Sequence, residues 1–293
     1  MAFMNEWRLD VVGDVAVWRR GRGSRSLVML HGGPGLSEYT SGLGELLGDA
    51  LGEDWTVVRF QQRGLAPSTT DGPFTVEQHV ADVLAVCDAV SAEPLFLLGH
   101  SWGGHLALHA AVANPDRFAA MVVVDPLGAV PDGGRKAMVR HFMALVTQEE
   151  ATALLDLEKR LEGDEHTGLI AIAQLAILWR YYFAVPQAAP QMPPLAANHE
   201  AATATFASID EHFAKGTLVQ GLPRASMPTL FLAGTSSPIP HVESERSAAL
   251  MPVARVVSVA TGHFPWLEAP DSTAATIASF LHDADANRAN DND

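Results

Sequence analysis

Short runs of apolar residues alternate along the chain with longer stretches in which apolar positions recur at helical spacing. The short runs are rich in Val, Leu, Ile and Phe and are bounded by Gly, Pro or polar residues, a pattern typical of strands buried on both faces. They predict strands at Leu9–Val12, Val15–Arg19, Leu27–Leu30, Thr56–Phe60, Leu95–Leu98, Met121–Val124, Thr229–Leu232 and Arg255–Val259, the first two forming a hairpin. Helical spacing predicts helices over Val76–Val90, Gly103–Val112, His241–Leu250 and Ser272–Leu281. This alternation favours an α/β fold with a mostly parallel sheet and helices on both faces.

The alternation stops once, between about Leu127 and Leu222. This stretch contains helical patterns and a cluster of prolines but no convincing strand, and it is too long for a simple crossover between two strands. We therefore predict a core domain made of residues 1–126 and 223–293, with residues 127–222 inserted as a helical cap. The polar, acidic tail Asp283–Asp293 is expected to fray.

Composition and charge limit the partners and the compartment. The 293 residues are 48% hydrophobic and 18% charged, which is enough for one large core and an inserted subdomain. A formal net charge of −15 argues against nucleic acid and anionic membrane as partners, since both bind basic patches. The single cysteine, Cys87, excludes an internal disulfide, and neither a signal peptide nor an apolar run of about 20 residues is found. We expect a cytoplasmic protein that acts on a small molecule, and the sequence does not indicate its oligomeric state.

Gly99-His100-Ser101-Trp102-Gly103 matches the G-x-S-x-G pattern between a predicted strand and a predicted helix. A sharp turn from strand to helix holds a serine in a strained conformation with its hydroxyl projecting above the sheet. The flanking glycines fit because such a turn leaves no room for Cβ atoms. Ser101 is therefore the candidate nucleophile for acyl transfer.

A second glycine-rich loop, His31-Gly32-Gly33-Pro34-Gly35, follows the strand Leu27–Leu30. Acyl transfer develops negative charge on the substrate carbonyl oxygen, and fixed backbone N–H groups stabilise it. We assign the two donors of this oxyanion hole to Gly33 and to Trp102, the residue after the nucleophile. A phosphate-binding loop is a poor alternative because no Lys-Ser/Thr pair follows and the G-x-G-x-x-G pattern is absent.

Together, HGGPG, QQRG at Gln61–Gly64, GHSWGG and GHFPWLEAP at Gly262–Pro270 resemble the α/β-hydrolase superfamily, and within it the proline iminopeptidase-like branch. The resemblance covers about residues 8–125 and 226–282. It implies that His263, in the loop after the last strand, is the catalytic base, and that Glu268 is a structural glutamate. The same resemblance places the usual catalytic aspartate at the position of Ser237, three residues after Gly234, where this chain has no carboxylate.

The catalytic acid is therefore an open question. A histidine base needs a partner that fixes its tautomer and stabilises the imidazolium. Asp125, at the end of the strand Met121–Val124, is the first candidate, because the carboxyl ends of all parallel strands open on the same edge of the sheet. Some branches of the superfamily take their acid from this strand. The alternatives are Glu243 or Glu245 as the acid, or a role for Asp125 only in the turn before Pro126.

No residues indicate a metal or a cofactor. His105 and His109 are four positions apart, as in some zinc sites on helices, but no glutamate follows His105 and no third ligand is evident. We therefore predict a reaction that uses neither.

The predicted cap bears on the substrate. Its aromatic cluster, with Trp179, Tyr182 and Phe183 as candidate substrate-binding residues, either walls an apolar pocket or packs the cap onto the core. Because esters and lactones have a less demanding leaving group than amides, the sequence favours an esterase or a lactonase. An aminopeptidase like the proline iminopeptidases would need cap carboxylates for the free amino group of its substrate. The available glutamates equally fit a solvated helix face: Glu149, Glu150, Glu158 and Glu162. A non-hydrolytic enzyme on this scaffold and a ligand-binding pseudoenzyme are further alternatives.

Overall fold

The computed structural model of the protein describes residues 6–161 and 167–291. Within them an eight-stranded sheet has the order β1-β2-β4-β3-β5-β6-β7-β8. The strands are β1 Arg8–Val12, β2 Val15–Gly21, β3 Arg25–Leu30, β4 Trp55–Phe60, β5 Leu95–His100, β6 Phe118–Val124, β7 Thr229–Gly234 and β8 Ala254–Val259. Strand β2 is antiparallel to both of its neighbours, β1 and β4, and all other pairs are parallel. The predicted α/β fold with a mostly parallel sheet is confirmed.

Helices cover both faces of the sheet. Those outside the predicted cap are α1 Ser41–Leu51, α2 Val76–Val90, α3 Trp102–Ala113, α9 Val242–Ala248, α10 Pro265–Glu268 and α11 Pro270–Asp291. Strand β3 contributes side chains to the hydrophobic clusters on both faces of the sheet. Val28 packs with residues of α2 and α3, whereas Leu27 and Met29 pack with residues of α1 and α11. Because successive side chains of a strand point to opposite faces, a strand covered on both faces is apolar throughout. None of the described helices is both long and apolar enough to cross a membrane.

The described part of the segment between β6 and β7 contains helices and loops, and its only β pairing is one isolated bridge between Leu36 and Ala197. Its helices are α4 Arg135–Leu145, α5 Gln148–Leu161, α6 Thr167–Leu178, α7 His199–Lys215 and α8 Thr217–Gly221, and a 3-10 turn spans Trp179–Tyr182. Ile209 of α7 and Leu218 of α8 are buried in the same hydrophobic cluster as the sheet. The two-domain division at residues 127 and 222 stays a prediction.

The acidic tail differs from expectation. Helix α11 continues through it to Asp291, so the tail is helical rather than frayed over its described length. Tertiary contacts explain this: Ala284 is buried against the sheet side of the molecule, Asp285 pairs with Arg25, and Arg288 Nη1 donates to the carbonyl oxygen of Pro94 at 3.1 Å. Helical stability of this kind comes from packing, which the local polarity of a sequence does not reveal.

Candidate active site

Ser101 occupies the turn between β5 and α3 in a conformation that side chains rarely adopt, with φ 57° and ψ −121°. The surrounding backbone holds it there. The N–H of Ser101 donates to the carbonyl oxygen of Val124 at 2.9 Å, and its own carbonyl oxygen accepts from the N–H groups of His105 and Leu127 at 3.1 and 3.2 Å. A positive φ at a non-glycine residue stores strain and persists only where neighbours determine it, so this turn has the expected geometry of a nucleophile elbow.

The glycines on either side of Ser101 are required by close backbone approach. A Cβ on Gly99 would lie 2.2 Å from the carbonyl oxygen of Gly103, and a Cβ on Gly103 would lie 2.3 Å from that of Leu30. Neither obstacle is a flexible side chain that could move away. The motif glycines are thus explained by the tight turn itself.

His263 lies in the loop after β8 and is buried. Its N–H donates to the carbonyl oxygen of Tyr182 at 2.7 Å, which ties this loop to the helical segment. The His263 ring lies against the ring of His100, with 4.7 Å between the centroids. Burial holds the pKa of His263 well below the usual value for a histidine, and neighbouring His100 lowers that pKa further. The ring is therefore neutral and able to accept a proton.

The side chain that contacts Nδ1 of His263 is that of Ser237, with Oγ at 3.1 Å. Ser237 follows β7 and stands where the resemblance would place an aspartate. Its Oγ also accepts from the N–H of Ile239 at 3.3 Å. The hydroxyl is held by the loop itself, so it is in position to fix the tautomer of His263.

The carboxylate of Asp125 was expected to contact His263 directly. In the structure Ser237 makes this contact instead, and Asp125 lies one contact further from the ring. The residue follows β6 with φ 41°, and its carboxylate oxygens lie 3.1 and 3.2 Å from the N–H of Gly234. Because β6 and β7 are neighbours, this bond draws the carboxylate toward β7 and behind Ser237. Burial raises the pKa of Asp125, whereas the Gly234 N–H and the Ser237 side chain lower it.

The two alternative acids are placed elsewhere. Glu243 is buried in α9 and accepts from Arg246 at 2.8 Å, while Glu245 is exposed. Glu268 accepts from the N–H groups of Gly262 and Ala184 at 2.6 and 3.0 Å, so it links the loop of His263 to the helical segment. This contact fits a structural glutamate.

Both candidate oxyanion donors are backbone groups beside Ser101. Gly33 has φ 61° and lines the same cavity as Ser101 and His263. Trp102 is the first residue of α3, and N–H groups in the first turn of a helix have no partner within the helix. One candidate donor thus lies in the loop after β3 and the other at the start of α3, next to the nucleophile.

A cavity of about 270 Å³ opens onto Ser101 and His263. Most of its wall is apolar, and the helical segment supplies much of it: Leu175, Trp179, Tyr182, Pro190, Gln191, Pro193 and Leu195. Of the three aromatic candidates, Trp179 and Tyr182 line the cavity. Phe183 is stacked on Phe264 behind the wall, with the centroids 5.6 Å apart. Sequence reasoning missed Tyr39, Leu36 and Trp266, because a wall assembled from distant segments leaves no local pattern.

His105 and His109 face each other with their Nε2 atoms 3.3 Å apart, and Nδ1 of His105 lies 3.1 Å from the carbonyl oxygen of Leu127. In the described part of the chain, no three His, Cys, Asp or Glu residues are grouped so that they could hold a metal ion. These histidines thus satisfy one another and the backbone.

Comparison with known proteins places this geometry in a family. Residues 25–270 match the family described as alpha/beta hydrolase fold. Lipase LipV of Mycobacterium tuberculosis is 41% identical over 121 residues, which are 37% of this chain and 45% of the lipase. A proline iminopeptidase of Heyndrickxia coagulans is 24% identical over 293 residues, with 94% of this chain and 97% of that protein covered.

Solved structures agree in fold. The proline iminopeptidase of Mycobacterium smegmatis superposes with a TM-score of 0.66 at 23% identity, over 97% of this chain and all of that chain (100%). VinJ superposes with a TM-score of 0.69 at 22% identity, over 95% and 99% of the two chains. A proline iminopeptidase is thus similar over most of this chain, and a lipase is similar over about a third of it. The matched part of this chain spans less than half the length of the lipase. The chain belongs to the alpha/beta hydrolase fold family.

Proposed function

We propose that this chain is a serine hydrolase that cleaves an ester or a lactone of a small, uncharged and largely apolar substrate. The observation that carries the proposal is the chemistry of the cavity wall. Among the described residues that line it there is no Asp, Glu, Lys or Arg. A charged group entering this cavity would lose its hydration without gaining a partner, whereas an apolar acyl group gains by burial.

Acylation follows from the placement of the three groups around Ser101. Because Nδ1 of His263 is engaged by Ser237, Nε2 is the nitrogen left to accept the proton of the Ser101 hydroxyl. The Ser101 oxygen attacks the substrate carbonyl carbon, and the negative charge that develops on the carbonyl oxygen is stabilised by the N–H groups of Gly33 and Trp102. The tetrahedral intermediate collapses to an acyl-enzyme as the alcohol leaves with the proton from His263.

Deacylation repeats these steps with water as the nucleophile. His263 accepts a proton from the water, and Ser101 recovers that proton when the acid departs. In each half-reaction the imidazole becomes positively charged. We propose that Ser237 accepts from Nδ1–H and in turn donates to Asp125, so that the carboxylate stabilises the imidazolium through the hydroxyl.

An aminopeptidase is the second candidate, favoured by the iminopeptidase matched over 94% of this chain. Such an enzyme needs a carboxylate for the ammonium group of its substrate. Of the cap glutamates considered for this task, Glu150 accepts from Arg180 and Tyr181, Glu158 accepts from Gln174, and Glu149 is exposed. Glu162 lies outside the described residues.

The two candidates predict opposite substrate preferences. We expect kcat/KM for p-nitrophenyl butyrate to exceed that for proline p-nitroanilide by about 100-fold or more, beyond the difference in leaving group, because an unpaired buried ammonium costs several kcal/mol. N-Acetylproline p-nitroanilide is the control, since acetylation removes the charge and adds only a small acetyl group. A free amino group that improves kcat/KM relative to the acetylated substrate would favour the peptidase.

The aromatic wall supplied by the helical segment predicts an effect on acyl size. Trp179 lines the cavity, and its Nε1 donates to the carbonyl oxygen of Pro190 at 2.7 Å. Trp179→Ala removes a large part of that wall, so we expect the optimum to move toward longer acyl chains in a series of p-nitrophenyl esters from acetate to decanoate. Phe183→Leu is the control, because Phe183 packs behind the wall. An unchanged chain-length profile for Trp179→Ala would leave Trp179 with a packing role only.

The buried base predicts a pH profile. A base acts in its neutral form, so kcat/KM falls as the pH drops through the pKa of His263 in the free enzyme. Since burial lowers this pKa, the midpoint of the acidic limb is expected below pH 6.5, the usual value for histidine. The measurement is kcat/KM for a neutral ester between pH 4.5 and 8. A midpoint above 6.5 would mean that the charge of Asp125 outweighs desolvation.

A further inference from the structure

Gly32, which precedes the candidate oxyanion donor Gly33, has both of its backbone groups bonded by side chains. Its N–H donates to the hydroxyl of Tyr39 at 2.9 Å, and its carbonyl oxygen lies 2.9 Å from Nδ1 of His31. Neither contact belongs to a strand or a helix. One buried and one half-buried side chain thus orient a single loop residue.

The direction of the His31 bond follows from its other nitrogen. The N–H of Gln62 donates to Nε2 of His31 at 3.2 Å, so Nε2 is an acceptor. A carbonyl oxygen accepts only, and Nδ1 therefore carries the proton and donates to Gly32. Burial lowers the pKa of His31, which agrees with a neutral ring in this one tautomer.

The other contact continues as a chain with a fixed direction. Nε2 of His100 lies 2.8 Å from the carbonyl oxygen of His263, so it carries the proton and donates. Burial lowers the pKa of His100 to about 3, and Nδ1 is thus an acceptor. The hydroxyl of Tyr39, 2.8 Å from this Nδ1, donates to it and accepts from Gly32. The loop after β3 is thereby connected to the loop that carries the base.

These bonds determine where the N–H of Gly33 points. The carbonyl of Gly32 and the N–H of Gly33 belong to one planar trans peptide group, in which the two bonds point in opposite directions. Holding the oxygen on His31 therefore aims the N–H of Gly33 to the other side. In the described part of the chain this N–H has no protein acceptor, and Gly33 lines the cavity beside Ser101.

Space around Gly32 fits the same role. A Cβ at this residue would lie 2.4 Å from Oη of Tyr39 and 2.7 Å from Cβ of Ser101. Tyr39 and the nucleophile therefore both lie close to the same glycine, on the side to which a Cβ would project. A displacement of Tyr39 would be transmitted directly to the loop beside Ser101.

We infer that Tyr39, His31 and His100 are positioning residues for the oxyanion hole, acting on the Gly32–Gly33 peptide and linking it to the loop of His263. The inference rests on the proposed serine hydrolysis. It assigns the histidine before the nucleophile a role distinct from that of the base: His100 holds the tyrosine that holds the donor loop.

Tyr39→Phe tests the inference, with Tyr181→Phe as the matched control. Tyr181 is likewise a tyrosine with a bonded hydroxyl, but its partners are Glu150 and Arg180, away from the cavity. For Tyr39→Phe we expect kcat for p-nitrophenyl butyrate to fall about tenfold or more, because an oxyanion donor supplies up to about 10²–10³ in kcat when correctly placed. The control variant Tyr181→Phe should keep a KM and a melting temperature close to those of the wild type.

A substrate that uses the oxyanion hole poorly separates positioning from general damage. The thiono analogue of the same ester develops its charge on sulfur, which fits the hole less well. The ratio of kcat/KM for the oxygen ester to that for the thionoester is expected to fall in Tyr39→Phe and to stay unchanged in Tyr181→Phe. Equal losses on both substrates, with the ratio preserved, would overturn the inference.

Variants of His31 provide a second test that does not depend on the tyrosine. His31→Asn keeps an N–H donor near the position of Nδ1, whereas His31→Leu removes it. The ratio of kcat/KM for the oxygen ester to that for the thionoester should stay closer to the wild-type value in His31→Asn than in His31→Leu. Equal ratios in the two variants would contradict the role of His31. Fluorophosphonate labelling of Ser101 in the unmodified enzyme tests the proposed function separately. Without labelling or ester turnover, the proposed function fails. If Ser101 is labelled but the ratio of kcat/KM for the oxygen ester to that for the thionoester is unchanged in every variant, only the positioning inference fails.

Discussion

Replacing Ser101 with alanine is expected to lower kcat for ester hydrolysis by about 10⁴- to 10⁶-fold and to abolish covalent labelling by fluorophosphonates. The reason is that no covalent acyl-enzyme forms without the hydroxyl, and losses of this size follow removal of a serine nucleophile elsewhere. The backbone should not change, because alanine at φ 57° bears about the same strain as serine and the three bonds that hold the turn are main-chain bonds.

Residual activity, active-site labelling and thermal unfolding are the measurements. The melting temperature should equal or exceed that of the wild type, which would separate a lost nucleophile from a lost fold. Ester turnover near the wild-type rate in Ser101→Ala would exclude the acyl-enzyme mechanism with Ser101 as nucleophile. An unlabelled wild-type enzyme without ester turnover would favour a ligand-binding role.

The second large effect concerns Ser237 and Asp125, the two residues proposed to support His263. Ser237→Ala removes the group that contacts Nδ1 of His263, so both the tautomer and the imidazolium lose their support. We expect kcat to fall about 10²- to 10³-fold, below the roughly 10⁴-fold known for an acid bonded directly to the base. Ser236→Ala is the matched control, because the neighbouring Ser236 is exposed and should give wild-type kinetics.

Asp125→Asn tests the charge without disturbing the backbone. Asparagine tolerates a positive φ about as well as aspartate, and its amide oxygen still accepts from Ser237 and from the Gly234 N–H. The negative charge and one of the two acceptor oxygens are lost, so kcat is expected to fall about 10- to 100-fold with a small change in melting temperature. A loss of stability with kcat intact would restrict Asp125 to shaping the turn before Pro126.

The double variant distinguishes a relay from two independent effects. If Asp125 acts through Ser237, Asp125→Asn should cost little in a background that already carries Ser237→Ala, and the two losses will not add in free energy. Losses that multiply would show that each residue acts on His263 separately. Glu243→Gln is the control for a buried carboxylate near this end of the sheet, and it should leave kcat unchanged because Glu243 pairs with Arg246.

Asp125→Asn combined with Ser237→Asp offers a gain-of-function comparison. The change places a carboxylate where Ser237 now contacts His263, and removes the second negative charge that would oppose its ionisation. We expect kcat above that of Asp125→Asn alone. A further fall would mean that the loop after β7 has room for a hydroxyl and not for a carboxylate.

The parts of this protein that its sequence determined are those whose physics is local. Apolar runs such as Leu27–Leu30 can be stable only as strands covered on both faces, so the α/β class followed from them. Ser101 was identifiable because strand, turn and helix are consecutive, and because Gly99 and Gly103 are demanded by contacts within that turn. Gly33 was predicted in the same way, from a short motif after a predicted strand, whereas His263 was predicted from the resemblance of its loop to the α/β-hydrolase superfamily.

The tertiary structure decided what depends on contacts between distant segments. Asp125 and Gly234, whose bond draws the carboxylate behind Ser237, are 109 positions apart in the sequence. Sequence reasoning could place both at one edge of the sheet, yet the side chain that reaches His263 depends on differences of a few ångströms between neighbouring loops. The same applies to the tail, where α11 persists because Asp285 and Arg288 find partners on other elements. Pattern determines which elements form, and the packing of those elements determines which side chains meet.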